Sequence, residues 1–209
     1  SSRDERTRAS SPAPRSAFGT RQSRGACRWG ESRRSAIVWS DATRESALHF
    51  ADTLVARMRE LGHPLCAGLD PHRDLLPPLF RRGSMAARDP ETTAAVEEFL
   101  LAVLDRLEGR VAAVKPQIAF FEALGARGFA ALERVAARAR ERNLAVVLDA
   151  KRGDIGSTAD AYAHAYLEPG AACEVDALTL SPYLGLDSLR PFADRALRYG
   201  RGLFVLAHT

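Results

Sequence analysis

Lysine is nearly absent from this chain: Lys115 and Lys151 are the only two among 30 basic residues, and the rest are arginines. Arg stays protonated in any protein setting, whereas a Lys can give up a proton when its surroundings tune it. Two lysines kept in an arginine-rich chain therefore point to places where Arg cannot do the job; coding bias with two chance survivors is the plain alternative. Cysteine is scarce too. Cys27, Cys66 and Cys173 are widely scattered, with no CxxC pair and no metal-ligand spacing, which speaks against a disulfide scaffold or a zinc site and fits a reducing cytosol. No apolar run approaches the length of a membrane span, and no apolar h-region opens the chain, so neither a membrane nor a secretory reading is supported. No Gly-rich dinucleotide fingerprint follows the first strand-like run, which argues against a Rossmann fold.

What is present suits one domain of ordinary size: 209 residues, 46% hydrophobic and 27% charged. The net charge of +4 is misleading as a guide to partners. Residues 1–40 hold nine arginines against Asp4, Glu5 and Glu31, so that stretch carries +6 and the remainder −2. Residues 1–45, rich in Ser and Arg and poor in apolar periodicity, read as a disordered basic extension. A nucleic-acid arm and an organelle transit peptide are the functional alternatives for it. The preferred reading assigns no nucleic-acid partner.

From Ser46 onward the pattern alternates. Ala47, Phe50, Ala51, Leu54, Val55 and Met58 fall at helical spacing and Gly62 can close that helix. Strand-like runs follow at 65–69, 111–114, 144–148, 177–180 and 202–207, separated by helical stretches at about 91–107, 119–142, 157–167 and 187–199. A long loop after the first strand carries Pro71, Pro77, Pro78 and Pro90 together with Arg81, Arg82 and Arg88, read as solvated, with a lid over a bound substrate as the alternative. Strands alternating with helices mean parallel strands joined by helical crossovers. Polar residues gather where the strands end: Asp70, Lys115, Asp149 with Lys151, and Ser181. Catalytic residues drawn from the C-terminal ends of successive strands are the habit of a (β/α)8 TIM barrel. The expected fold class is thus α/β, an incomplete barrel of about the first five strand–helix units over residues 46–209.

The densest chemistry lies in Asp149-Ala-Lys151-Arg-Gly-Asp154-Ile-Gly-Ser-Thr158, directly after the apolar run 144–148. Asp149 and Lys151 are two residues apart, which puts their side chains on one face of a strand. A carboxylate beside an ammonium at a strand end is costly to bury and needs a reason. Asp154 lies past Gly153 on a turn, before a helix start at which Ser157 and Thr158 could simply be caps. His72 reads as a loop residue, and the other histidines form no ligand spacing.

These segments resemble orotidine 5'-phosphate decarboxylase, in the branch carrying the signature DAKRGDIGSTA, matched here from Asp149 to Ala159. Gly68-Leu-Asp70-Pro71, Val114-Lys115-Pro116 and Ser181-Pro182-Tyr183-Leu-Gly185 agree with it in order and spacing. The resemblance implies decarboxylation of orotidine 5'-phosphate (OMP) to UMP in pyrimidine biosynthesis, in the cytoplasm, with no metal and no cofactor. It implies a charged network of Lys115, Asp149, Lys151 and Asp154 as the catalytic set. Asp154 would cross a homodimer interface together with Ile155 and Thr158, which would contact substrate, and Asp70 would hold the ribose hydroxyls. The family's pyrimidine-contacting serine loop would begin just beyond Thr209, and its phosphate-gripping loops would follow strands seven and eight. The nearest enzymatic rival is a Mg²⁺-dependent sugar-phosphate decarboxylase or aldolase with the same DxKxxD core, which needs an acid at the position of Lys115. A non-catalytic truncated chain is the rival from another class.

Overall fold

Strands of this chain pair strictly in the order in which they occur. The structure, a computed structural model, describes residues 49–208. Its strands β1 (Cys66–Leu69), β2 (Ala113–Pro116), β3 (Ala145–Arg152), β4 (Ala177–Leu180) and β5 (Gly202–Val205) form one sheet in the order β1-β2-β3-β4-β5. Every pairing is parallel, with Cys66 beside Ala113, Ala113 beside Ala145, Val147 beside Ala177 and Ala177 beside Gly202. Parallel neighbours require crossovers, here α2 (Pro90–Leu107), the pair α3 (Ile118–Glu122) and α4 (Ala126–Glu141), α5 (Gly156–Leu167) and α6 (Leu186–Tyr199). This is the expected run of five strand–helix units of the barrel. The extension at residues 1–45 and the first residues of the expected helix, 46–48, lie outside the described residues.

Alternation along the strands sorts side chains into two layers. Val114, Val146, Leu148, Leu178 and Leu180 face the crossover helices and pack with Leu100, Leu104, Phe121, Leu132, Val135 and Phe192. Full burial of each such side chain favours folding by about 1.5–3 kcal/mol. The opposite, inner face carries Ala113, Ala145, Val147 and Ala177, small enough to admit Phe50 and, beside it, Leu54. Both come from α1 (Phe50–Leu61), which is closed by Gly62 at φ 76°. The Phe50 N–H donates to the Gly200 carbonyl at 2.9 Å, tying α1 to the start of β5. Cys66 is exposed and Cys173 buried, both free thiols; burial pushes the Cys173 thiol up to about 12, which leaves it inert.

One local expectation fails. The single helix over 119–142 is broken: α3 ends at Glu122, and α4 starts after Gly125, whose φ of 69° and ψ of −154° no helix accepts. The break lets the two helices touch closely at Gly128, where an added Cβ would lie 2.0 Å from the Phe121 carbonyl oxygen. The loop arginines Arg81, Arg82 and Arg88 are exposed, as expected, and two of them still find partners. Arg81 donates to the carbonyls of Leu76 (2.8 Å) and Asp74 (2.5 Å), Arg73 donates to that of Met85 (3.0 Å), and Arg82 pairs with Glu98. These bonds brace the loop between β1 and α2 and give its carbonyls partners that regular structure does not supply.

Candidate active site

Alternation places Lys115 on the inner face two residues after Ala113, and Asp149 two residues after Val147. Adjacent parallel strands bring the two together across the sheet: Lys115 Nζ donates to Asp149 Oδ2 at 3.0 Å. On the other oxygen, Lys151 Nζ donates to Oδ1 at 2.5 Å. Two more donors complete the carboxylate. Gln117 Nε2 reaches Oδ2 at 3.0 Å, and Thr179 Oγ1 donates to Oδ1 at 3.1 Å. The Gln117 amide is oriented by its own oxygen, which accepts from the Ala119 N–H at 3.3 Å and so caps α3. A carboxylate offers about four lone-pair sites, and here four donors occupy them.

Electrostatics follow from this crowding. The Asp149 side chain is 12% exposed. Burial works to raise its pKa, but the hydrogen bonds from Lys151 and Lys115, the Lys115 charge and the Thr179 hydroxyl outweigh it and hold the carboxyl below its usual range. Lys151 is the open member of the pair, with 47% of its side chain exposed. Its ammonium is therefore tethered at one end and free to meet a molecule lying on the inner face.

The strand geometry that delivers Lys151 is not the plain alternation expected. β3 advances from Leu148 to Arg152 while β4 advances only from Leu178 to Leu180, a bulge in the register. Lys151 sits in this bulge at φ 47°, a left-handed conformation that costs a residue with a Cβ about 1–2 kcal/mol. The same-face argument thus reaches the right pairing through a backbone it does not describe. Gly153 follows because β4 closes in: a Cβ there would lie 2.6 Å from the Ser181 carbonyl oxygen. Ser181 N–H in turn donates to the Arg152 carbonyl at 2.8 Å. Arg152 points to the outer face, pairs with Glu122 at 2.5 Å and lies 5.2 Å from the centre of the Tyr162 ring, anchoring the strand end to α3 and α5.

The remaining expected residues stand apart from the cluster. Asp154 is partly exposed and accepts from the Ile155 N–H at 2.8 Å, with no bond to Lys151. Ile155, 65% exposed, holds the N-cap position of α5 without a side-chain cap bond, so neither Ser157 nor Thr158 caps that helix; both are exposed on its first turn. Asp70 is exposed just past β1, and its carboxylate has no hydrogen-bond or ion-pair partner among the described residues. His72 packs edge-on to Phe120 at 4.4 Å, a loop role. Sequence reasoning missed Gln117 and Thr179. Their only signal is position, each two residues beyond an inner-face residue, Lys115 and Ala177.

A cavity of about 330 Å³ lies at the other end of the sheet, between α1 and the strand N-termini, lined by Phe50, Arg57, Arg140, Asp176, Tyr199 and Arg201. It is remote from the lysines. Arg140 bonds Glu174 at 2.6 Å, and Arg201 bonds Asp176 at 3.3 Å as well as Glu174. The Glu174 carboxyl, which burial would raise, is brought down to about 2 by the Gly170 N–H and these arginines. Arg140 and Arg201 are paired there with Glu174 and Asp176 and read as a structural clamp, whereas the Lys115 and Lys151 side chains are 36% and 47% exposed.

The family model described as orotidine 5'-phosphate decarboxylase / HUMPS family matches residues 63–209. An orotidine 5'-phosphate decarboxylase of Nocardioides sp. is 47% identical over 160 residues, 77% of this chain and 55% of that protein. One from Streptomyces coelicolor is 48% identical over 160 residues, 77% of this chain and 54% of its own length. A crystal structure from Streptomyces avermitilis described as an orotidine 5'-phosphate decarboxylase superposes with a TM-score of 0.68 at 46% identity, covering 78% of this chain and 54% of that one. Leishmania donovani OMP decarboxylase superposes with a TM-score of 0.59 at 38% identity, covering 78% and 54%. The chain spans about half the length of the curated relatives it matches. With a parallel sheet in barrel order and an aspartate bracketed by two lysines at its C-terminal edge, the chain belongs to the orotidine 5'-phosphate decarboxylase / HUMPS family.

Proposed function

We propose that the protein of which this chain is the described part decarboxylates OMP to UMP and carbon dioxide. The observation that carries the reading is the Asp149 carboxylate held ionised between Lys115 and Lys151, the chain's only lysines. Breaking the bond from the orotate ring to its carboxylate leaves an electron pair on a ring carbon with no adjacent carbonyl or imine to receive it. The protein must supply the electrostatics. A substrate carboxylate set against Asp149 is repelled: two charges ~4 Å apart at an effective dielectric of ~20 interact by about 4 kcal/mol. Relief of that repulsion is worth about three powers of ten in rate. The remainder comes from stabilising the carbanion and from binding energy remote from the reacting carbon. Lys151 serves the first: its ammonium attracts the developing charge and then gives its proton to the carbon. Lys115 holds Asp149 in register.

Asp70, exposed at the neighbouring strand end, is assigned to the ribose hydroxyls. Asp154, Ile155 and Thr158, which make no bond to the cluster of their own chain, are assigned to the site of a second copy in a cytoplasmic homodimer. A Mg²⁺-dependent sugar-phosphate reaction fits less well. Lys115 stands where that chemistry needs an acid, and the lone pairs of Asp149 are already taken by donors. The test is UMP formation from OMP by the chain extended to the length of its relatives, with Lys151→Ala as the inactive control. A mixed dimer of Lys151→Ala and Asp154→Ala subunits should regain one working site. A mixed dimer that pairs but stays inactive removes the cross-subunit role of Asp154, and absence of UMP formation by the unaltered enzyme removes the decarboxylase reading.

A further inference from the structure

We infer that Thr179 is a positioning residue, whose hydroxyl holds the left-handed bulge that aims Lys151 and at the same time fixes the Asp149 carboxylate. Opposite the bulge, β3 has more residues than β4 can pair, so the N–H groups of Ala150 and Lys151 lose their ladder acceptors. Thr179 Oγ1 replaces them both, accepting from Ala150 N–H at 3.0 Å and from Lys151 N–H at 2.8 Å. A hydroxyl has two acceptor lone pairs and one proton. With both lone pairs taken, the proton goes to Asp149 Oδ1, 3.1 Å away. One oxygen thereby couples the backbone that sets the Lys151 ammonium to the carboxylate that ammonium bonds. Both Ala150 and Thr179 are 9% exposed, so water cannot readily stand in for the hydroxyl. Without it, the buried Ala150 amide and the part-buried Lys151 amide lose their acceptor, and the φ of 47° at Lys151 has nothing to oppose relaxation toward an extended strand.

The ordinary role for a threonine here is that of a β-branched strand former, which valine fills equally well. Thr179→Val therefore removes the hydroxyl and little else, and Thr179→Ser keeps the hydroxyl while losing the methyl. Both are made in the full-length enzyme. Amide hydrogen exchange at Ala150 and Lys151 is followed beside steady-state turnover of OMP; the turnover arm rests on the decarboxylase reading, and the exchange arm does not. In Thr179→Val the two amides are expected to exchange on the order of ten- to a hundredfold faster, matching the loss of a buried hydrogen bond, with Val146 and Leu148 unchanged. Under the same change kcat falls by a similar factor while KM moves by less than about threefold, and Thr179→Ser restores both. Exchange within about twofold of the unaltered enzyme overturns the inference, as does an unchanged kcat or failure of the serine variant to rescue. If the valine variant does not fold, Thr179→Cys, of similar size and with a weak acceptor, is read by the same criteria. An enzyme that makes no UMP at all yet loosens at these two amides overturns the proposed function and leaves the hydroxyl's hold on the bulge standing.

Discussion

Four donors on one carboxylate make Asp149 the fixed point around which the neighbouring side chains are arranged, and each donor has a separable part. On the proposed function, Lys151 brings charge and a proton. Lys151→Arg keeps the charge but replaces a compact acid with a wide, far weaker one, so UMP formation is expected to fall by about two to four powers of ten. Near-unaltered turnover of that variant would remove the proton-donor assignment. Asp149 also couples folding to pH. Its folded pKa is depressed, so the stability it contributes is complete above its unfolded pKa of about 3.9 and is lost as pH falls through the folded value. In urea melts taken between pH 7 and 2, the unaltered protein should therefore lose an acid-side component that Asp149→Asn lacks. Parallel pH profiles for the two would contradict the hydrogen-bonded ionised state. Lys115, Asp149 and Lys151 were legible in the sequence because charged residues at the ends of apolar runs are costly and therefore informative. Gln117 and Thr179 were not, since neutral polar residues are ordinary on strands. Their partner lies 32 and 30 residues away in the chain, and only strand pairing brings it within reach.

Strands and crossover helices could be read from periodicity because burial on one or both faces writes itself into spacing. β4 is the plainest case, four apolar or half-apolar residues buried throughout, at the very positions expected. The failure came where one helical spacing runs on through two successive helices. Phe121 and Leu132 both belong to the outer core, so helical spacing ran through 119–142 without showing the turn at Gly125. That turn depends on Gly128 admitting the Phe121 carbonyl. Gly128→Ala should destabilise the fold by about 1–3 kcal/mol through overpacking, read as a lowered denaturant midpoint with unchanged m-value. A variant as stable as the parent would show that α3 and α4 can part without cost. The bulge in β3 was illegible for a related reason. A strand's alternation pattern survives when extra residues loop out, so Asp149 and Lys151 meet whether or not Lys151 leaves the extended region.

At the level of the whole molecule, β1 and β5 are both edge strands of the described sheet. Phe204 and Val205 on β5 are each 45% exposed, and the two exposed residues carry unpaired backbone groups on one side. The 209-residue chain alone is expected to associate non-specifically or to melt without cooperativity; sedimentation and thermal melting check this. A soluble monomer with a single sharp transition would contradict it. Two properties were determined by the sequence alone: the alternation of strands and helices, which leaves a parallel sheet as its outcome, and the charged strand ends, whose lysines and aspartate meet in one cluster. Both are local, set by side-chain periodicity and by the cost of burying charge. Tertiary structure alone decided which neutral groups complete Asp149, where β3 departs from its ladder, and that Lys151 is reached through a left-handed residue. Those depend on the register between β3 and β4, and register is settled by packing across the sheet, which no single stretch of chain contains.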